Sequence, residues 1–141
     1  MVDKNEIEEY LEKEKLRVSK LYKEKHRNGF ITKETFVDWY IKQIQKQDFK
    51  CYYCETSIFY MIKLIESNYL KARKIGYGVR GKVLEIDKKV NENGYNPENC
   101  VLACYYCNND KSYTIESDEY KKYFGNNRKK YFENLLKSSK K

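Results

Sequence analysis

The sequence contains no long hydrophobic run, and its 141 residues include one histidine, one proline and one tryptophan. The apolar runs span only a few residues, and the N-terminus, MVDKNEIEEYLEKEK, is highly charged. We therefore expect neither a transmembrane helix nor a signal peptide. Cysteine occurs in an odd number, five, which argues against a disulfide framework and favours a reducing compartment. These absences predict a cytoplasmic protein that does not associate with membranes.

Positive charge is abundant and unevenly distributed. Lysine and arginine number 29 against 21 aspartates and glutamates, which gives a formal net charge of +8. This excess indicates an anionic partner, with nucleic acid the default and a membrane surface the weaker alternative. Seven acids and eight bases lie between Asp3 and Arg27, whereas residues 120–141 contain eight bases and one acid. Nearly all of the excess charge therefore belongs to the C-terminal segment.

The length and composition predict a single domain with a modest core, and the helices and strands described below predict an α+β fold for it. Hydrophobic residues make up 40% of the chain and charged residues 35%. A core of this kind often needs additional stabilisation, for example by a structural metal ion. We divide the domain, residues 1–141, into three parts. They are an N-terminal charged helix at 1–29, a core at 30–120 and a basic C-terminal segment at 121–141.

Apolar periodicity predicts three helices in the first half of the chain. The first covers residues 3–27, and we expect it to end at RNGF, with Gly29 as its C-cap. TKETFVDWYIKQIQ predicts a second helix with Thr32 as its N-cap. Its apolar face consists of Phe36, Trp39, Tyr40 and Ile44. SIFYMIKLIESNYLKARK predicts the third helix.

The second half of the chain has the pattern of a β-hairpin followed by a helix. KVLEID alternates as a short strand, NENGYNP has the composition of a turn, and NCVLAC is the returning strand. After Cys107 the pattern becomes helical again through ESDEYKKYFG. The short strands therefore lie between helices at both ends.

Two Cys-x-x-Cys pairs, Cys51 with Cys54 and Cys104 with Cys107, are separated by 49 residues. Two tight turns of this kind place four thiolates around one tetrahedral zinc ion, and four thiolates leave no open position for water. We therefore predict a structural zinc site, in preference to four free or buried cysteines or a redox pair. We interpret Cys100 as a small core residue and not as a ligand.

Polar residues at the predicted hairpin suggest a second metal site. A strand ends at Asp87, Asn99 opens the returning strand, and Asn108 follows Cys107 directly. A hairpin packed on the following helix would bring Asp87 close to Asn108. Carboxylate and amide oxygens are ligands suited to Mg²⁺, which would stabilise a phosphate under attack. The alternative for Asn108 is a helix N-cap.

The stretch LEIDKKVNENGYNPENCVLACYYCNNDKS resembles the ββα-metal finger of the HNH (His-Me finger) endonucleases, especially the zinc-bearing phage and restriction enzymes of the PacI type. The resemblance runs from about Thr32 to about Tyr120 and also includes ITKETFVDWY and CYYC. Several short motifs in the same order make it specific. The first 25 residues match poorly, and no cysteines are present there for the second zinc site of PacI-type enzymes.

The resemblance implies roles for individual positions. Asp87 and Asn108 match the ligands of the catalytic Mg²⁺ or Mn²⁺, and Asn99 matches the asparagine that ties the hairpin loop to the backbone. The zinc ligands match Cys51, Cys54, Cys104 and Cys107.

Lys88 stands where most HNH members have the general-base histidine, and the PacI branch often has arginine there. A lysine is a base only if its pKa falls far below about 10.4, so we favour a phosphate clamp for Lys88 over a base.

A different general base is then required. His26 is the only histidine, and PacI-type enzymes have a histidine near this position. The alternatives are that His26 is a surface residue, or that bulk base, Tyr105 or Tyr106 serves instead. DNA phosphates beside the cleaved bond are expected to contact basic residues around the hairpin. These are Arg80, Lys82, Lys89 and Lys111.

Together these features predict a small zinc-stapled HNH endonuclease that hydrolyses phosphodiester bonds in double-stranded DNA. Cutting both strands requires two active sites, so a type II restriction enzyme would act as a homodimer on a palindrome. Two alternatives remain. One is a homing, recombination or nicking nuclease of phage origin, and the other is a non-catalytic zinc-dependent DNA-binding protein in which Lys88 marks a degenerate site.

Overall fold

The computed structural model describes residues 2–76 and 78–140, which form helices around two short antiparallel sheets. The helices of the N-terminal half are α1 (Lys4–Leu21), α2 (Lys33–Lys46) and α3 (Ile58–Glu66). The strands are β1 (Lys74–Ile75), β2 (Gly78–Val79), β3 (Glu85–Lys88) and β4 (Cys100–Ala103). The helices of the C-terminal half are α4 (Tyr105–Lys111), α5 (Ser117–Tyr120) and α6 (Asn126–Ser139). No described helix is both long and apolar enough to cross a membrane.

Helix α1 is shorter than predicted, and Gly29 is not its C-cap. The helix ends at Leu21 because Tyr22 adopts an extended conformation, in which its hydroxyl donates a hydrogen bond to the carbonyl of Phe30. Gly29 is required for a different reason. A Cβ atom there would lie 1.8 Å from the carbonyl oxygen of Tyr95, so only glycine lets the N-terminal segment approach the hairpin loop this closely.

Helix α2 forms the centre of the core, as its pattern predicts. Phe36, Tyr40 and Ile44 are fully buried and Trp39 is partly buried, while the Thr32 hydroxyl caps the helix by accepting from the Thr35 amide at 3.1 Å. The Tyr40 hydroxyl donates to the buried Glu14 carboxylate of α1 at 2.7 Å. This polar contact fixes how α1 packs on α2.

Helix α3 is also shorter than the predicted segment. It ends after Glu66, because Asn68 has a positive φ of 66° and the Tyr69 amide turns back to the Leu64 carbonyl at 2.9 Å. Asparagine tolerates this left-handed conformation better than most residues. Ile58, Met61 and Leu64 form the buried face of the helix.

The predicted β-hairpin is present. Strands β3 and β4 pair antiparallel, with Asp87 opposite Val101 and Lys88 opposite Cys100. All four residues of β4 are buried. On the other side of β4, the Gln47 side chain accepts from the Leu102 amide at 3.0 Å and donates to the Leu102 carbonyl at 2.8 Å. The Tyr52 amide also donates to the Leu102 carbonyl, at 2.9 Å, so β4 is held from both sides.

The C-terminal third contains two helical segments where one was predicted. Helix α4 ends at Lys111 because Ser112 has a positive φ of 49°. A second segment begins at Ser117 and continues to Ser139 through a π-helical turn at Lys121–Gly125. A Cβ atom at Gly125 would lie 2.3 Å from the Tyr53 carbonyl oxygen, so this turn packs directly against the first cysteine turn. Most of the basic segment 121–141 is therefore helical.

Candidate nuclease site and metal centres

The two Cys-x-x-Cys turns meet in one buried cluster. The sulfur atoms of Cys51, Cys54, Cys104 and Cys107 all lie within 4.8 Å of one another. The Cys54 and Cys104 sulfurs are 3.9 Å apart, close to the spacing of about 3.8 Å that a tetrahedral ion with Zn–S bonds of about 2.3 Å requires. All five cysteines are free of disulfides, and Cys100 is outside the cluster.

The electrostatics of the cluster also fit a cation. The Tyr53 amide donates to the Cys51 sulfur at 3.3 Å, and the Cys107 amide donates to the Cys104 sulfur at 3.4 Å. Hydrogen bonds from the other cluster cysteines, Cys104 first, lower the pKa of Cys54, whereas burial raises the pKa of Cys104. Without a cation, therefore, the four thiols cannot all be deprotonated together. A divalent ion stabilises all four thiolates at once. The donor set therefore fits a structural zinc site.

Asp87 is a buried carboxylate on β3 with two partners. Its Oδ2 accepts a hydrogen bond from the Tyr53 hydroxyl and lies 3.4 Å from the Lys111 ammonium of α4. The Tyr53 hydroxyl is also 2.9 Å from the Ser117 hydroxyl. Burial raises the pKa of Asp87 above its ordinary value, although Tyr53 and Lys111 act in the opposite direction. Both contacts use Oδ2, so Oδ1 is the oxygen available to a metal ion.

A second polar contact joins β3 to α4. Glu85 lies two residues before Asp87, so alternation along the strand places both carboxylates on one face. The Asn108 amide donates to Glu85 Oε1 at 2.9 Å, and Arg80 binds the same carboxylate through two hydrogen bonds of 2.6 and 3.1 Å. Because the Asn108 nitrogen is used by Glu85, its carbonyl oxygen is left for a cation.

The structure thus brings Asp87 and Asn108 to the same side of the hairpin, but each has its own partner. Asp87 pairs with Lys111, and Asn108 pairs with Glu85. Asn108 is not a helix N-cap, because the Cys104 sulfur caps α4. Two carboxylates and an amide oxygen are the hard donors that Mg²⁺ or Mn²⁺ uses, so these residues fit such an ion.

Lys88 follows Asp87 directly on β3. Its ammonium is 4.8 Å from the centre of the Tyr95 ring, a cation–π distance, and Tyr95 belongs to the hairpin loop. The Asn99 side chain fixes this loop, since it accepts from the Val90 amide at 3.1 Å and donates to the Val90 and Gly94 carbonyls at 2.8 and 2.7 Å. The position of Lys88 therefore depends on an ordered loop.

His26 is buried beside the same loop, not at the surface. It is 4% exposed, and its ring packs against Phe36 at 4.7 Å and the edge of Tyr95 at 4.9 Å. Its Nδ1 accepts a hydrogen bond from the Lys23 amide at 3.0 Å. In the neutral ring the proton is therefore on Nε2, which can only donate. This geometry argues against His26 as a general base and favours a structural role.

We expect His26 to titrate below pH 6.5. Burial, followed by the charges of Lys25 and Lys23, lowers the pKa of His26. A pKa that is lower in the folded protein stabilises the fold above pH 6.5, and this stabilisation is lost as pH falls through the folded pKa. Proton NMR of the only histidine measures this directly. A pKa at or above that of an unfolded histidine would contradict the buried environment.

The four basic residues predicted to contact phosphates have different surroundings. Lys111 is only 2% exposed and pairs with Asp87, so it differs from the prediction of a surface contact. It is buried because a buried carboxylate compensates its charge. Arg80 packs over the Tyr105 ring at 4.5 Å, and Lys82 lies 3.9 Å from Glu66. Lys82 and Lys89 are partly exposed and accessible to a ligand.

No protein-family model matches the chain, and no curated protein matches it. Among solved structures, the chain is similar to the rare-cutting HNH restriction endonuclease PacI, described as using an extraordinary mechanism of DNA perturbation. The likeness has a TM-score of 0.58 and 28% sequence identity, and it covers 75% of this chain and 67% of that one. The chain has the HNH endonuclease fold.

Within this HNH fold, sequence reasoning missed two residues of the candidate site. Glu85 had a usable signal, because its spacing of two residues from Asp87 on a predicted strand places both side chains on one face. Tyr53 had none, since 34 residues separate it from Asp87 and only the closure of the cysteine cluster brings them together. Of the tyrosines considered earlier, Tyr106 donates to the Lys71 carbonyl and Tyr105 packs under Arg80.

Proposed function

We propose that this protein is a metal-dependent endonuclease that hydrolyses phosphodiester bonds in double-stranded DNA. The observation that supports this most directly is the hairpin of an HNH fold, in which Asp87 and Glu85 of β3 face α4 and Glu85 contacts Asn108, next to a four-cysteine cluster. A structural zinc ion in that cluster would hold the first cysteine turn, and with it Tyr53, against the hairpin.

The residues divide into metal-binding and positioning groups. Asp87 and Asn108 would hold Mg²⁺ or Mn²⁺, and the bound ion would supply Lewis-acid stabilisation of the phosphate and acidify a water ligand. Tyr53 and Lys111 fix Oδ2 of Asp87 and leave Oδ1 free to bind. The Asn108 side chain is fixed in turn by Glu85, which Arg80 holds in place.

We assign to Lys88 the binding of the scissile phosphate and the stabilisation of its developing negative charge. Tyr95 supports this role because its ring contacts the Lys88 ammonium and restricts where it can lie. The cation–π contact with Tyr95 positions the Lys88 side chain for this clamp role. Proton removal from water would then depend on the metal ion and on bulk base.

The biological role we favour is a type II restriction enzyme that acts as a homodimer on a palindromic site. The support is the likeness to PacI, itself a restriction endonuclease. A nicking, homing or recombination nuclease of phage origin would use the same site. The second candidate function is a non-catalytic DNA-binding module. It is favoured by one observation, namely that the sole histidine uses its Nδ1 lone pair structurally.

Plasmid cleavage tests the proposed function. The purified protein is expected to nick or linearise DNA with Mg²⁺ or Mn²⁺ and to do neither in EDTA. Lys88→Ala should lower the cleavage rate by about 10²-fold, the scale of one lost transition-state contact, while DNA affinity in Ca²⁺ changes by only a few fold. Lys42→Ala, an exposed lysine of α2, is the matched control and should cleave at the wild-type rate.

The outcomes separate the two candidate functions. Wild-type protein that binds DNA in Ca²⁺ but leaves plasmid and phage DNA intact with both metals would favour the binding module. Equal cleavage rates for the wild type and Lys88→Ala would support the nuclease function but contradict the clamp role of Lys88.

A further inference from the structure

The net charge of the chain belongs almost entirely to its last 22 residues, most of which form one helix. Residues 120–141 contain eight bases and one acid, whereas the remaining 119 residues contain 21 bases and 20 acids. The segment that contains the candidate catalytic hairpin is therefore close to neutral. An anionic polymer that approaches the protein is attracted mainly by the C-terminal helix, which comprises Lys121–Gly125 and α6.

One side of the C-terminal helix packs against the rest of the protein. Phe132 is fully buried and packs on Tyr106, with ring centres 5.6 Å apart. Arg128 binds Asp110 of α4 through two hydrogen bonds of 2.7 and 2.9 Å, and Lys129 lies 3.2 Å from Glu55. These ion pairs orient the helix and neutralise the bases on its inner side.

The opposite side of the helix presents three lysines to solvent. Lys122, Lys130 and Lys137 are exposed, and none of them is in an ion pair within residues 2–76 and 78–140. Within α6, Lys130 and Lys137 are seven residues apart, two helical turns or about 10.5 Å, so they lie on one line. Glu133, between them, is the only acid of the helix.

We propose that this outer face, formed by Lys122, Lys130 and Lys137, is a DNA-backbone contact surface separate from the candidate catalytic hairpin. The proposal rests on the proposed function only in that the partner is DNA. Lysine ammonium groups on flexible stems bind phosphates as point charges, without base recognition. The surface would thus supply affinity that is independent of sequence, while the hairpin supplies the chemistry.

A duplex fits this face better than a membrane surface does. A helix that binds in a membrane interface buries an apolar face in the lipid, whereas Phe132 of this helix is buried and Leu135 and Leu136 pack against the protein core. The exposed side chains around the lysines are polar except for three separate aromatics, Tyr123, Phe124 and Tyr131, and Lys122 lies over the Tyr123 ring at 5.3 Å. The interaction of this face with an anionic polymer is therefore electrostatic, and it should have the steep salt dependence of phosphate contacts.

The test compares two triple variants that remove the same charge. One is Lys122→Gln, Lys130→Gln and Lys137→Gln. The control is Lys4→Gln, Lys13→Gln and Lys20→Gln, three exposed lysines of α1. Binding of a fluorescent duplex of about 30 base pairs is measured by anisotropy in Ca²⁺ at several KCl concentrations. Zinc content and circular dichroism confirm that both variants are folded.

We expect the outer-face variant to bind at least about tenfold more weakly at 0.1 M salt. The slope of log affinity against log salt should fall by about three, since each lysine–phosphate contact contributes about one. The α1 control should retain the wild-type slope. Equal slopes for the two variants would overturn the proposal, as would preferential binding of the wild type to vesicles containing phosphatidylserine.

The result is separable from the proposed catalytic function. If the wild-type protein cleaves DNA and the outer-face variant binds DNA with unchanged affinity, the nuclease function is retained and this surface is refuted. A weakened outer-face variant of a protein that binds DNA but never cleaves would support the surface and refute the nuclease. Wild-type protein that binds no duplex at any salt concentration refutes both.

Discussion

Cys104→Ser is expected to abolish metal binding and cooperative folding. Cys104 is completely buried, its sulfur caps α4, and it lies 3.9 Å from the Cys54 sulfur. Structural zinc contributes about 10–16 kcal/mol of apparent binding free energy in small metal-dependent domains, comparable to the whole stability of a domain at about 5–15 kcal/mol. Losing one of four thiolates should therefore reduce bound zinc from about one ion per chain to nearly none.

Cys100→Ser is the matched control for this prediction. Cys100 is also buried, at 3% exposure, and lies four residues from Cys104, but it is outside the cluster. Its substitution should cost about 1–3 kcal/mol for a buried hydroxyl and leave the zinc content unchanged. Zinc analysis of purified protein and urea unfolding monitored by circular dichroism measure both effects. Equal zinc content in the two serine variants would contradict the assignment of the cluster.

Local patterns were sufficient to predict the frame of the site. Alternating residues and a turn-rich segment predicted the β3–β4 hairpin, and the Cys-x-x-Cys spacing predicted the cluster, because both depend on neighbours in sequence. The predicted C-terminal ends of helices α1 and α3 were wrong by several residues. Helix α1 ends where the Tyr22 hydroxyl makes a long-range hydrogen bond to the Phe30 carbonyl. Helix α3 ends where Asn68 adopts a left-handed backbone conformation.

The surroundings of the candidate site could not be predicted in the same way. Lysine is almost never fully buried, so sequence alone assigns Lys111 to the surface. Its burial follows from Asp87, 24 residues earlier, whose carboxylate compensates the ammonium charge. Tyr53 reaches Asp87 only because the cysteine cluster has closed. Such pairs depend on the path of the chain between them, which residue type and spacing do not specify.

The buried ion pair between Asp87 and Lys111 determines how the role of Asp87 must be tested. Asp87→Asn keeps the shape of the side chain and removes the charged metal ligand. It should lower metal-dependent cleavage by about 10³-fold, which corresponds to about 4 kcal/mol of lost transition-state stabilisation. It also leaves the buried Lys111 ammonium without its carboxylate, which typically destabilises a fold by about 3–5 kcal/mol. Loss of cleavage alone would therefore not distinguish chemistry from unfolding.

A double variant separates the two effects. Lys111→Met fills a similar volume without charge, so Asp87→Asn combined with Lys111→Met should recover most of the unfolding free energy that Asp87→Asn loses, because no uncompensated charge remains buried. Cleavage should stay about 10³-fold below the wild type, since the metal ligand is still absent. Urea unfolding and single-turnover plasmid cleavage at saturating Mg²⁺ measure these quantities. A stable double variant that cleaves near the wild-type rate would show that Asp87 serves the fold and not the metal.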